Sequence, residues 1–225
     1  MTRRRFVGAA VCALVLITGA ADTSWAAVTP PAECSADDLN GDIRLGPRDL
    51  PTQGPVGHEL VTYSRFGGLT ADQFLAKWWD PTLFGGAGGW RFPPFNGFRL
   101  GPDGQPQHTA MALRAGLRVD RYGSEFGAFL APAGSQYSQR ALPPQSLNNV
   151  TTPAACNYVF YKVVREFDVD GGPIAPAFEQ PGNGLQYFLV GALVPGAPAQ
   201  LNVRWLIDNG YLARCVVVVS RPFAC

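Results

Sequence analysis

Glycine and proline break this chain into short pieces. Twenty-six Gly and 20 Pro are spread through its 225 residues. Each Pro removes a backbone donor, and each Gly weakens the interior of a helix or strand. Long helices are therefore scarce and turns plentiful. Between the breaks, the second half is strand-like. Segments 117–121, 126–131, 158–167, 186–194 and 213–220 are rich in Val, Tyr, Phe and Leu and bounded by turn residues, so each reads as a strand. Segment 199–209 is the one good helix there. Pro198 suits its first turn, Leu201, Trp205 and Leu206 share a face, and Gly210 suits the position after its end. The expected fold class is α+β: a compact, mainly antiparallel β core over 111–225, with a few short helices and an N-terminal loop and helix arm over 27–110.

The arm shows little periodicity before Thr70. From there Thr70 and Gln73 form a capping-box pattern, Phe74, Leu75, Trp78 and Trp79 follow at helical spacing, and Pro81 stops the run. One short helix is expected there, its tryptophans packing in a core. Gly85 to Gly89 lacks the Lys-Ser/Thr of a phosphate-binding loop and reads as a flexible turn.

The first residues read as an address. Arg3, Arg4 and Arg5 precede an apolar run over 6–21, and Ser24-Trp25-Ala26 resembles a cleavage site. The Thr2 to Phe6 pattern fits a twin-arginine signal, which exports folded proteins. A transmembrane anchor is the competing reading, but the run is short for a span. Residues 1–26 are thus expected to leave, giving a secreted protein that begins near Ala27 and has no membrane partner. Cys34, Cys156, Cys215 and Cys225 then remain, and two disulfides are expected, in any of three connectivities, holding the arm and the tail to the core.

The formal net charge of +1 gives no basis for a nucleic-acid surface, and the 47% apolar content argues against a disordered chain. No cysteine or histidine spacing suits a metal, and no nucleophile elbow, zinc-protease or dinucleotide fingerprint is present. His58 and His108, the two histidines, lie in loop-like text and read as solvated. Asp168 and Asp170, before Gly171-Gly172, could form a carboxylate pair of the glycosidase kind, although acidic residues at turns are common for local reasons.

Four blocks stand out: Asp120-Arg121-Tyr122-Gly123 running on to Phe129-Leu130-Ala131-Pro132; Gln139-Arg140-Ala141-Leu142-Pro143-Pro144; Pro181-Gly182-Asn183-Gly184-Leu185-Gln186-Tyr187; and Trp205-Leu206-Ile207-Asp208-Asn209-Gly210-Tyr211-Leu212. In this order they resemble the tuberculosis necrotizing toxin family of NAD glycohydrolases, which includes secreted fungal surface enzymes. The resemblance spans 117–212. It implies hydrolysis of the nicotinamide–ribose bond of NAD(P), giving nicotinamide and ADP-ribose. It also implies catalytic roles for Gln186 and Arg140 and substrate binding by Arg121, Tyr122 and Phe129.

General chemistry agrees. A guanidinium can grip a diphosphate through two donors, and an aromatic such as Tyr122 or Phe129 can stack on a base. Gln186 can hydrogen-bond the nicotinamide amide, a ribose hydroxyl or the attacking water. Taken singly, each residue has a plainer reading: a strand-end arginine, a packing tyrosine, a polar strand residue. Both the Arg140→Ala and the Gln186→Ala variants are expected to stay folded, neither residue being apolar core. Val159 stands where toxin members carry a histidine. NAD is substrate, so no cofactor is expected and the site is expected to be metal-free. Relatives bind calcium near the C-terminus, but only Asp208 is acidic there, and calcium is not carried over. A homodimer and an immunity protein are open as protein partners. Two other readings stand beside the hydrolase. An ADP-ribosyltransferase or cyclase is disfavoured because Glu33, Glu59, Glu125, Glu166 and Glu179 form no E-x-E or Q-x-E pair. The third is a catalytically inactive secreted binding protein of the same fold, motivated by Val159.

Overall fold

The computed structural model describes residues 33–148, 155–218 and 221–224. The expected signal segment, residues 1–26, and Cys225 lie outside them. In chain order the regular elements are α1 (Gly54–Glu59), α2 (Ala71–Trp78), β1 (Trp79–Asp80), the distorted turn α3 (Leu83–Gly86), β2 (Gly89–Trp90), β3 (Thr109–Leu113), β4 (Arg118–Tyr122), β5 (Phe129–Pro132), α4 (Tyr137–Arg140), β6 (Tyr158–Val163), β7 (Phe167–Pro173), β8 (Leu185–Phe188), α5 (Val203–Asp208), β9 (Leu212–Arg214), β10 (Val216–Val218) and β11 (Arg221–Ala224). Seven strands form one antiparallel sheet in the order β3-β7-β8-β5-β4-β6-β9. The expected α+β class is what the chain adopts.

The sheet has to curl. Three strands lie between β6 and β7, yet only residues 164–166 connect them. Four strand spacings in a flat sheet span about 19 Å, while the connection reaches about 14 Å when fully extended. The link from β3 to β4 makes the same crossing. The sheet therefore folds over its own inner face, where Leu113, Val119, Leu130, Tyr161, Val163 and Val169 pack with Val203 and Leu206 of α5.

Register decides what reaches the other face. Val119 pairs with Tyr161, Asp120 with Phe160 and Tyr122 with Tyr158, and a period of two sends Asp120, Tyr122, Tyr158 and Phe160 outward together. The arm covers them. Val56 and Leu60, at α1, pack there with Tyr137 and Leu147. Further along, Phe74 of α2 meets Trp90 and Phe178. The capping box is present as expected: Gln73 N–H donates to Thr70 Oγ1, and Thr70 N–H donates to Gln73 Oε1.

Some expectations are corrected. Segment 158–167 is two strands, because the chain turns at Val164, whose N–H donates to Tyr211 O. Segment 186–194 leaves the sheet after Phe188 and ends in a 3₁₀ turn (Gly191–Leu193). The helix in 199–209 starts only at Val203, where the Asn202 side chain caps Trp205 N–H. The arm holds α1 as well as α2, and the expected boundary between residues 110 and 111 falls inside β3.

Cys34 and Cys156 form a disulfide across 122 residues, tying the arm to the start of β6. Cys215 is disulfide-bonded too. In protein that begins near Ala27, alkylation should therefore label no thiol before reduction and four after it, read by intact mass. Any free thiol in the unreduced protein would contradict this. Among the described residues no helix is long and apolar enough to cross a membrane.

Candidate active site

A cavity of about 510 Å³ opens on the outward face of the sheet, well within the usual range for small-molecule sites. Its floor is made by β4, β5 and β8, through Asp120, Tyr122, Phe129 and Gln186. One wall is the end of α4 with Arg140 to Leu142. The other is the loop around Phe92 to Gly97, with Ile174 and Ala175 beside it. All five residues singled out in the sequence (Gln186, Arg140, Arg121, Tyr122 and Phe129) border this one cavity. Three non-glycine residues with left-handed backbone also border it or its wall loop: Phe95 (φ 55°), Asn96 (φ 56°) and Ala141 (φ 46°). Such angles cost energy and persist only where surroundings enforce them, as they do at binding sites.

Gln186 is buried on β8, and its Nε2 donates to Asn96 O at 2.9 Å. The amide therefore props the left-handed turn of the wall loop, with Gly97 lying against it. Phe129 packs on Phe188, ring centroids 5.0 Å apart, and keeps partial exposure at the cavity.

Arg121 and Arg140 differ in setting. Arg121 lies on β4 opposite Val159, on the inward side of the register. Its Nε donates to Ser124 O and its Nη1 to Phe129 O, so it holds the β4–β5 turn. A side chain on Gly127 would overlap this guanidinium. Burial lowers the pKa of Arg121 from its ordinary value. Val159, opposite Arg121, packs against the inner core.

Arg140 is buried in an ionic cluster. Its Nη1 and Nη2 donate to the two oxygens of Asp120 at 2.5 and 2.8 Å, Nη2 also to Glu59 Oε2 at 3.0 Å, and Nε to Ser135 O at 3.1 Å. Burial works against its charge, but Asp120 more than reverses this and raises its pKa. Its guanidinium lies 5.2 Å from the centre of the Tyr122 ring. Tyr122 in turn donates its hydroxyl to Glu59 Oε2 at 2.9 Å, and Tyr158 donates to Asp120 Oδ2 at 3.0 Å. Burial raises the pKa of both hydroxyls.

Glu59 is the residue that sequence reasoning missed. It comes from α1 in the arm, 81 residues from Arg140, and nothing in Gly57-His58-Glu59-Leu60 marks it. Asp120 lay within a quoted block but carried no role; its place directly before Arg121 was the available signal. Burial pushes the Glu59 carboxyl from 4.5 up to about 7, Arg140 pulls it down, and Asp120 pushes it up again. The folded protein thus keeps a proton that the unfolded chain would release. Stability from this group is complete below about pH 4.5 and is lost as pH rises towards about 7, at up to about 1.4 kcal/mol per unit. Denaturant melts of wild type and Glu59→Gln across that range should diverge with this slope; parallel lines would contradict it.

The other candidates lie elsewhere. His58 is exposed on α1. His108 is exposed too, stacked on Phe98 at 4.7 Å with Nδ1 3.5 Å from Asp170 Oδ2. Neither borders the cavity, nor does Asp168 or Asp170. Among the described residues no group of three or more His, Cys, Asp and Glu could hold a metal ion.

Comparison with known proteins bears on the same region. A family model described as tuberculosis necrotizing toxin matches residues 112–215. The conidial surface nicotinamide adenine dinucleotide glycohydrolase nadA of Aspergillus fumigatus is 45% identical over 174 residues, covering 77% of this chain and 69% of that protein. The solved structure of tuberculosis necrotizing toxin complexed with its immunity factor aligns at a TM-score of 0.47 and 23% identity, over 64% of this chain and 71% of the toxin. An Rhs1 C-terminal toxin in complex with its cognate immunity protein aligns at 0.28 and 16%, over 40% and 75%.

Proposed function

The chain belongs to the tuberculosis necrotizing toxin family, and on that basis we infer that it is an NAD glycohydrolase. The observation that carries this to the molecule is the cavity, which borders all five residues of the family blocks. In the reaction the C1′–N bond of the nicotinamide riboside breaks, and its electron pair returns to the pyridinium ring. Water adds to C1′ and loses a proton. Nicotinamide is a good leaving group, so the main tasks are holding the dinucleotide and stabilising an oxocarbenium-like ribose.

The residues suit those tasks. Gln186 Nε2 is committed to Asn96 O, which leaves Oε1 to accept from the nicotinamide amide, a ribose hydroxyl or the water. Phe129 offers a ring face to the nicotinamide. Arg121 spends two donor positions on the turn that carries Phe129 and so fixes that ring at the edge of the cavity. Arg140, paired with Asp120 beneath the cavity, orients Tyr122 at its floor.

Export is the second part of the reading. The Arg3 to Ala26 pattern, the Cys34–Cys156 disulfide and the surface location in the relative's name support it.

Incubating the purified protein with NAD and separating the products tests the reading. Free ADP-ribose and nicotinamide are expected. Modified protein or a cyclic product would indicate a transferase or cyclase, and unchanged NAD a binding protein. The proposed chemistry uses no metal, so activity should survive prolonged chelator treatment; complete loss restored by one divalent ion would overturn that. His58→Ala and His108→Ala should each change turnover less than about threefold, since neither reaches the cavity. A folded but inactive histidine variant would move the site.

A further inference from the structure

Two carboxylates converge on Arg140, and their bonding is unequal. Asp120 takes the guanidinium through both oxygens and also accepts from Tyr158 and the Gly134 N–H. Every one of these bonds is accepted, the inventory of an ionised carboxylate. Asp120 alone thus balances Arg140. Glu59 accepts only through Oε2, from Tyr122 and Arg140, while its Oε1 is buried with no partner. A second full negative charge there, with one oxygen bare of donors, would be costly.

Resting on the glycohydrolase reading, we propose that Glu59 is a positioning residue whose proton, carried on Oε1, keeps the Arg140–Asp120 cluster neutral beneath the substrate cavity. The groups facing that carboxyl are Arg140 of α4, Asp120 and Tyr122 of β4, and Tyr158 of β6. With the proton in place the cluster sums to zero, and Tyr122 and Arg140 share one fixed acceptor. Without it the cluster carries one negative charge directly under a site that receives a diphosphate. The repulsion falls on substrate binding, and burial of the group, which favours the neutral acid, sets the change near neutral pH. The arm thereby tunes a cavity whose floor belongs to the sheet.

The test has two readouts. In wild type, KM for NAD should rise roughly three- to tenfold between about pH 5.5 and about pH 8.5, with a smaller change in kcat. In Glu59→Gln, whose amide mimics the neutral acid, KM should not follow pH over that range. Infrared difference spectra of the intact protein should show a protonated-carboxyl stretch at neutral pH that disappears in Glu59→Gln. Identical KM profiles in the two proteins would overturn the proposal. So would the lack of that stretch in wild type, a measurement that decides even if the variant fails to fold. Absence of NAD hydrolysis at every pH would sink the functional reading instead, with the infrared band still locating the proton.

Discussion

Replacing Arg140 with alanine should destabilise the protein by about 3–5 kcal/mol, because it strands the buried carboxylate of Asp120 and leaves Glu59 without its cation. That is a large fraction of the roughly 5–15 kcal/mol that holds a typical domain folded. The midpoint of denaturant unfolding should fall with the slope unchanged. The sequence alone suggests otherwise, since an arginine outside the apolar core ought to be dispensable for folding. The buried cluster corrects that expectation: this guanidinium is as interior as the aromatic rings beside it. Arg140→Lys, which keeps the charge but not the fork, should recover part of the stability and little of the activity. If Arg140→Ala melts with wild type, the cluster does not hold the fold together in the way its geometry requires.

Gln186→Ala should have the opposite profile. The fold should survive, because the side chain makes one hydrogen bond to the wall loop, worth about 1 kcal/mol. Activity should fall by roughly 30- to 1,000-fold, equivalent to about 2–4 kcal/mol of lost transition-state stabilisation. A loss mainly in kcat would mean that Gln186 acts on the developing cation or the water; a loss mainly in KM would mean that it only holds the ground state. Wild-type turnover in a folded Gln186→Ala protein would remove this residue from the mechanism.

What could be read in the chain follows from sequence distance. The capping box at Thr70 and Gln73 is a local device, and it stands where it was expected. The strands carrying Arg121, Phe129 and Gln186 announced themselves through β-branched and aromatic residues between turns. The bend after Val163 did not, because no Gly or Pro marks it and the crossing is enforced by the curl of the sheet. β3 escaped notice because Thr-Ala-Met-Ala-Leu has few strand-forming residues and sits at a sheet edge. Glu59 was invisible for a stronger reason. Its partners lie 63 and 81 residues away, and only closure of the arm over the sheet brings them together.

The arm's grip on the sheet also separates two lengths that are easily equated. The family pattern spans 112–215, whereas the cavity borrows a wall from Phe92 to Gly97 and the cluster beneath it takes Glu59. A gene fragment trimmed to the shared pattern would encode every signature residue and still yield an open half-site, with one wall gone and Tyr122 without its acceptor. Divergence in the preceding hundred residues can therefore retune how relatives hold the same dinucleotide without touching the signature at all.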